Sequence, residues 1–318
     1  MNSIGGFLEL ELHDYGYLQD NSFNFNTARN ALRFLLRNLD VKEIFVPFYT
    51  CPVVWEAVVS ENVSIIPYDV DDRFEPLINF SKDSFVIYTN YFGVCENIIK
   101  NLSSSCSNLI VDNAQAFWSK QAGLASFYSP RKFFGVPDGG VLLLRNGLSF
   151  LNSDYPVSES YDSCLHLLKR ADVGASTSYT LFLENEQKLN NMPIQQMSCL
   201  TSKMLKAINY SEIASKRVSN FELLHSALKS NNELKNFCYD YEVPMYYPYK
   251  TSNKNLREIL IKNKIFVAKY WSPCEQNACM TSCLSQQMAE SIIPLPIDQR
   301  YGNVQMNKII EVIKDNGY

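Results

Sequence analysis

No window of the 318-residue sequence reaches the roughly 18 uninterrupted apolar residues of a membrane span, so no membrane partner is expected. Basic runs are also missing, and the net charge is −4. Both argue against a nucleic-acid or polyanion partner. The opening MNSIGGFLELELHDYGY lacks a positive n-region and a long apolar core, so no secretory leader is expected and the protein reads as cytoplasmic. Internal repeats, low-complexity tracts and charge blocks are absent. Nine cysteines, an odd number scattered from Cys51 to Cys283, favour reduced thiols over a disulfide framework. Cys274, Cys279 and Cys283 in SPCEQNACMTSC supply three sulfurs where zinc wants four ligands, and no histidine follows His225. The sequence is therefore read as holding no metal.

What is present is a recurring alternation. Strand candidates are KEIFVPF (42–48), VSIIPYDV (63–70), DSFVIYTNYFG (83–93), NLIVDNAQ (108–115) and GGVLLL (139–144). They are β-branched or aromatic and almost continuously apolar, as in parallel strands covered on both faces. Helical patterns fall between them at 26–39, 51–62 and 95–104. Such alternation predicts an α/β domain with a mostly parallel sheet. A long helical region, roughly 157–232, follows, and the chain ends in mixed α+β. The expected division is a large α/β domain with connecting helices over 1–234 and a small C-terminal α+β domain over 235–318. Ligands of open α/β sheets sit at the carboxyl ends of the strands, so the residues that follow those strands carry the search for function.

Three constellations stand there. The strand NLIVD ends on Asp112, a carboxylate that is costly to bury unless a cation or hydrogen bonds satisfy it. Its alternative reading is a helix N-cap or a turn-forming Asx. Twenty residues on, Lys132 lies among Phe127, Tyr128, Phe133 and Phe134 in SFYSPRKFFGVPDGG, a segment punctuated by Pro and Gly. An acid at one strand end and a lysine before the next strand suggest pyridoxal phosphate (PLP), with the lysine as Schiff-base amine and the acid facing the pyridinium nitrogen. The third is NTARNALRFLLR, where Asn26 or Thr27 would cap a helix and the free N–H groups of its first turn could seat a phosphate.

With these motifs the chain resembles the DegT/StrS-type sugar aminotransferases, of the aspartate aminotransferase fold (fold type I), from about residue 25 to the end. The family's D-x-A-Q motif reads DNAQ at 112–115, its lysine Lys132, and its acidic Gly-Gly step DGG at 138–140. The resemblance implies that Asp112 holds the pyridinium, Gln115 bonds the cofactor's phenolic oxygen and Lys132 is the Schiff-base lysine. It also implies phosphate binding by the Thr27-Ala28-Arg29 turn, and an aromatic cover from VPFYTCP, which contains Tyr49. The tail phrases VPMYYPY, KYWSP and IIPLPID resemble the family's small domain. The chain departs from the family at NYFG (90–93), where the family often has His-Leu-Tyr-Gly, and at Phe127, where it has a serine. Ser126 and Ser129 are the hydroxyls left to bind phosphate, and Ser129 has the S-x-x-K spacing. The family's Gly-Tyr-Asn-Tyr-Arg segment, which reaches into the partner subunit's site, is not recognisable in KRADVGASTSYTLF.

The resemblance implies an aminotransferase, a homodimer, that moves an amino group from an amino-acid donor, glutamate, to a keto-sugar carried on a nucleotide, as in surface-polysaccharide biosynthesis. A related branch dehydrates sugars and has histidine at the lysine position, which Lys132 argues against. The alternative of another class is a PLP-binding relative without turnover, in a regulatory or scaffolding role.

Overall fold

The computed structural model describes residues 4–17, 22–151, 154–234, 237–271 and 282–316. Among them a seven-stranded sheet runs through the large α/β part. Its strands are β1 (Phe23–Phe25), β2 (Glu43–Pro47), β3 (Ser64–Tyr68), β4 (Phe85–Thr89), β5 (Asn108–Asn113), β6 (Ala125–Tyr128) and β7 (Gly140–Leu144), in the order β1-β7-β6-β5-β4-β2-β3. Strands β2 to β6 are mutually parallel, and β7 runs antiparallel to both its neighbours. The mostly parallel sheet expected from the apolar runs is there. β1 and β6 were not foreseen: β6 is four residues, ASFY, at the start of a segment whose prolines and glycines read as loop.

Helices α1 (Ala28–Arg37), α2 (Pro52–Ser60) and α3 (Glu96–Ser105) connect the parallel strands. Then come α4 (Leu165–Val173), α5 (Ala175–Asn190), α6 (Cys199–Lys206) and α7 (Tyr210–Leu228). The tail holds β8 (Tyr246–Lys250), α8 (Leu256–Lys262), α9 (Cys283–Ser291), β9 (Ile292–Pro296) and α10 (Asn303–Asp315), with β8 and β9 paired antiparallel.

Alternation along the strands builds two apolar layers. Ile44, Ile87, Ile110 and Phe127 pack under α1 and α2 on one face. Tyr88, Leu109 and Val111 face the other way, in a cluster that also takes in Phe221 of α7, Tyr247 of β8 and Ile313 of α10. That cluster joins residues on both sides of position 235. Burying each such Leu, Ile or Phe contributes about 1.5–3 kcal/mol.

α1 forms because Ala31, Leu32, Leu35 and Leu36 share its buried side and Thr27 caps it, accepting the Asn30 N–H on its hydroxyl at 3.1 Å. Arg33 and Arg37 both reach Glu61 beyond α2, at 2.7 and 2.6 Å, and tie the two helices together. The DGG step lies against the start of α1. Gly139 N–H donates to Asn26 O at 2.7 Å, and a Cβ on Gly140 would fall 2.1 Å from the Thr27 carbonyl carbon and 2.3 Å from Ala28 N. Only glycine lets β7 start this close to the helix.

Gly140→Ala should therefore destabilise the protein by about 3 kcal/mol, since backbone atoms on both sides cannot yield. Gly135→Ala is the control, because its Cβ would meet nothing nearer than a Leu167 methyl at 3.8 Å. Urea denaturation checks this; equal midpoints for the two variants would refute the close packing.

Candidate active site

Asp112 ends β5, between Thr89 of β4 and Phe127 of β6 in the strand register. Registered neighbours share a face, so all three side chains lie on the α1/α2 side of the sheet. The carboxylate is 4% exposed, and its Oδ1 accepts the Ala114 N–H at 2.9 Å. Burial holds the carboxyl above its ordinary range, and the nearby charge of Lys132 and the Ala114 N–H pull it back. The two residues that the sequence pairs across 20 positions thus act on each other in space.

Cys51, at the N-cap of α2, feels both groups. Burial pushes its thiol up, the Lys132 charge lowers it, and the Asp112 charge raises it again. Next to it, the Thr50 and Thr89 hydroxyls lie 2.7 Å apart. Sequence reasoning missed Cys51, Thr50 and Thr89. Their signal was position alone, since all three sit at the carboxyl ends of β2 and β4.

Lys132 ends a single 3₁₀ turn, Pro130–Lys132, directly after β6. Its aromatic setting differs from the one expected. Phe127 points to the α1/α2 face, Phe133 and Phe134 are buried on the opposite face with Phe117 and Tyr128, and Lys132 itself is exposed. The period of two in β6 and the turn that follows separate the rings from the amine. Lys132 lines a cleft of about 650 Å³ together with Phe133, Arg217, Tyr246 and Arg300.

Gln115 follows β5 and is buried. Its Oε1 accepts the Phe92 N–H at 2.8 Å, while its Nε2 has no hydrogen-bond partner among the described residues. Phe92 and Gly93 of the NYFG turn hold φ of 56° and 73°, and a Cβ on Gly93 would lie 2.6 Å from Gln115 O. The turn and the DNAQ segment are thus packed backbone to backbone.

Of the two candidate hydroxyls, Ser126 is occupied: its Oγ accepts the Ala122 N–H at 3.1 Å and donates to Ala122 O at 3.3 Å. Ser129 is buried, and its side chain makes no cap bond to the turn that follows it. At the phosphate turn, the Thr27 hydroxyl serves as its own helix cap. The Arg29 guanidinium turns to Asn190, donating to its carbonyl and, at 3.0 Å, to its Oδ1, and lies 3.6 Å from Glu56. What Ala28 and Arg29 offer an anion is therefore the backbone at the positive end of α1. Tyr49 is buried on the other face, stacked on Tyr91 with ring centres 5.5 Å apart and edge-on to Trp271 at 4.7 Å. Asp138 of the DGG step is a structural acid. Its carboxylate takes the Ser198 N–H at 3.2 Å, the Ser198 hydroxyl at 3.0 Å and the Thr201 hydroxyl, and so fastens β7 to the start of α6.

The residues present fit pyridoxal phosphate. A buried carboxylate with a single N–H donor among the described residues suits a cationic ring nitrogen, and Gln115 Nε2, without a partner among those residues, is a donor ready for a ring oxygen. No group of metal-ligating side chains occurs among the described residues; Cys274 and Cys279 lie outside them. Among the described residues, no helix is long and apolar enough to cross a membrane.

No protein-family model and no curated protein matches the chain. Solved structures do. DesV of S. venezuelae, in complex with a ketimine intermediate, is 15% identical, with a TM-score of 0.64 over 93% of this chain and 84% of its own. A DegT DnrJ EryC1 StrS aminotransferase from Brucella abortus is 16% identical, with a TM-score of 0.64 over 93% and 86%. Helicobacter pylori PseC, an aminotransferase involved in pseudoaminic acid biosynthesis, is 15% identical, with a TM-score of 0.60 over 92% and 86%. At this identity the likeness is one of fold: the chain is folded as these aminotransferases are, over nearly its whole length.

Proposed function

We propose that the protein is a PLP-dependent aminotransferase that moves an amino group from glutamate to a keto-sugar carried on a nucleotide. The observation that carries this reading is the buried Asp112 carboxylate at the end of β5, with Gln115 three residues on and Lys132 on the turn that follows the adjacent strand β6. The fold shared with sugar aminotransferases supports it. When bound, pyridoxal phosphate supplies an electron-withdrawing ring that stabilises negative charge on the substrate carbon. Asp112 would keep the ring nitrogen protonated, and Gln115 Nε2 would donate to the ring's oxygen. The backbone of Thr27, Ala28 and Arg29 and the hydroxyl of Ser129 would hold the phosphate. The cover that the resemblance assigns to Tyr49 would need it to leave its stack on Tyr91, since it is buried on the face opposite the Asp112 side chain. Lys132 Nζ would bind the cofactor covalently at rest and, once released, carry the proton to and from the substrate carbon.

The protein is further proposed to act as a homodimer in the cytoplasm. Leu165, Leu168, Tyr179 and Phe182 of α4 and α5 are exposed large apolar side chains, and they offer a surface for a second copy. Stable interfaces of this sort bury about 2,000 Å² or more. Sedimentation should give a dimer, and a monomer that keeps the cofactor would refute it.

Borohydride reduction of the cofactor-loaded protein should leave the label on the peptide containing Lys132, and glutamate should convert the yellow form to the colourless one. A label on another lysine overturns the assignment. Colour without conversion would mark a cofactor-binding protein without turnover.

Asp112→Asn should lower the rate of the glutamate half-reaction about a hundredfold, the usual scale for removing a preorganised charge. The same change should stabilise the cofactor-free protein. Its carboxyl pKa is raised in the fold, so the ionised form costs stability at neutral pH, and the cost fades as pH falls through that pKa. Melting curves of wild type and Asp112→Asn should thus differ at neutral pH, the variant higher, and converge in acid. A wild type that melts higher at neutral pH would contradict the carboxylate's placement.

A further inference from the structure

The cleft beside Lys132 holds an excess of positive charge. Arg131, Lys132, Arg170, Arg217 and Arg300 line it, against one lining carboxylate, Asp298. Two of these cations are neutralised within the fold. Arg131 meets Glu186 of α5, and Arg300 binds both oxygens of Asp298, at 2.6 and 2.8 Å. Arg217 of α7 is different. It is 2% exposed, and among the described residues its guanidinium bonds only neutral oxygens: Nε donates to Gln299 Oε1 at 3.0 Å and Nη1 to Met245 O at 3.2 Å.

This cation is fixed to the lysine turn. Its guanidinium carbon lies 4.8 Å from the centre of the Phe133 ring, one residue from Lys132, and Gln299 Nε2 donates to Phe133 O at 2.8 Å. Burial lowers its pKa to about 10, against the pull of the Asp298 charge, so it stays cationic at neutral pH. Asp298, already taken by Arg300, gives it no hydrogen bond. A buried cation that the fold leaves without a carboxylate is expensive, and an arginine's planar fork suits carboxylate or phosphate oxygens.

We propose that Arg217 is an oxyanion seat in this cleft, receiving the carboxylate of an amino-acid substrate or a phosphate of a nucleotide-linked one, so that the reacting end lies at Lys132. The orientation toward Lys132 rests on the aminotransferase reading; the seat itself does not.

The test uses the full-length protein stripped of cofactor, titrated calorimetrically with glutamate and, separately, with inorganic pyrophosphate. At least one probe should bind. Arg217→Gln should weaken that binding about tenfold or more, as expected for loss of a charge-assisted fork, and Arg300→Gln should weaken it less than about threefold. Preference for glutamate assigns the carboxylate, and preference for pyrophosphate the phosphate. Binding by neither probe overturns the proposal, as does equal weakening in the two variants, which would mean a diffuse field. A lowered melting midpoint in Arg217→Gln with unchanged affinity would reduce the residue to a clamp on the lysine turn, and also overturns it. If Arg217→Gln does not fold, crystals of the wild type soaked in selenate decide: an anion on the Arg217 guanidinium supports the seat, and one elsewhere in the cleft, or none, overturns it. Neither probe needs the cofactor. Binding at Arg217 with Lys132 unlabelled by borohydride would retire the aminotransferase and keep the seat, and the opposite pair of results would do the reverse.

Discussion

A carboxylate buried at the end of a central strand is the constraint around which this molecule is arranged. Asp112 receives one N–H from its own chain, at 2.9 Å, where a lone buried charge would need several donors or a cation. The nearest cationic influence on it is Lys132, twenty residues on and one strand over. Bringing it there requires β6 to pair with β5 in parallel and the chain to turn at once after Tyr128, which the Pro130–Lys132 turn does.

Holding β5 in place takes the rest of the sheet. Asn90 N–H donates to Asp112 O at 3.0 Å, and the left-handed turn that follows seats Gly93 on the Gln115 carbonyl. On the far side, Gly140 admits the backbone of Thr27 and Ala28, and Asp138 anchors α6. These contacts stabilise the fold, and among the described residues they leave Gln115 Nε2 without a hydrogen-bond partner. Groups kept unpaired in a well-paired interior are the ones available to a ligand.

How much of this was legible depended on whether a residue's role is local. Asp112 could be singled out because a carboxylate ending an apolar run violates the pattern around it, whereas Gln115 was named only through the resemblance of DNAQ to the family's motif. The parallel strands were found through their continuous apolarity, and α1 through its cap and spacing. β6 was hidden because four residues are too few to show a period against the prolines and glycines beyond them. The aromatic setting read around Lys132 differs for a related reason: neighbours in sequence alternate between faces in a strand, so a lysine flanked by phenylalanines need not be enclosed by them. Ser126 is engaged by Ala122, four residues back, which spacing to the lysine cannot reveal. Arg217 could not be read at all. It stands in the middle of a helix with no motif about it, and its meaning comes from Gln299, 82 positions away.

The distribution of charge follows the same logic. A chain with a net charge of −4 gathers five lining cations in one cleft, so its acids are concentrated elsewhere. Pairing removes Arg131 and Arg300 from that total and leaves Arg170, Arg217 and Lys132, of which Arg217 alone is buried. A cleft that served only as a packing defect would gain stability by giving Arg217 a carboxylate or replacing it with an apolar side chain, because an uncompensated buried charge is among the costliest features a fold can keep. Its retention in a cleft that Lys132 also lines favours a site that takes an anionic molecule over a packing defect.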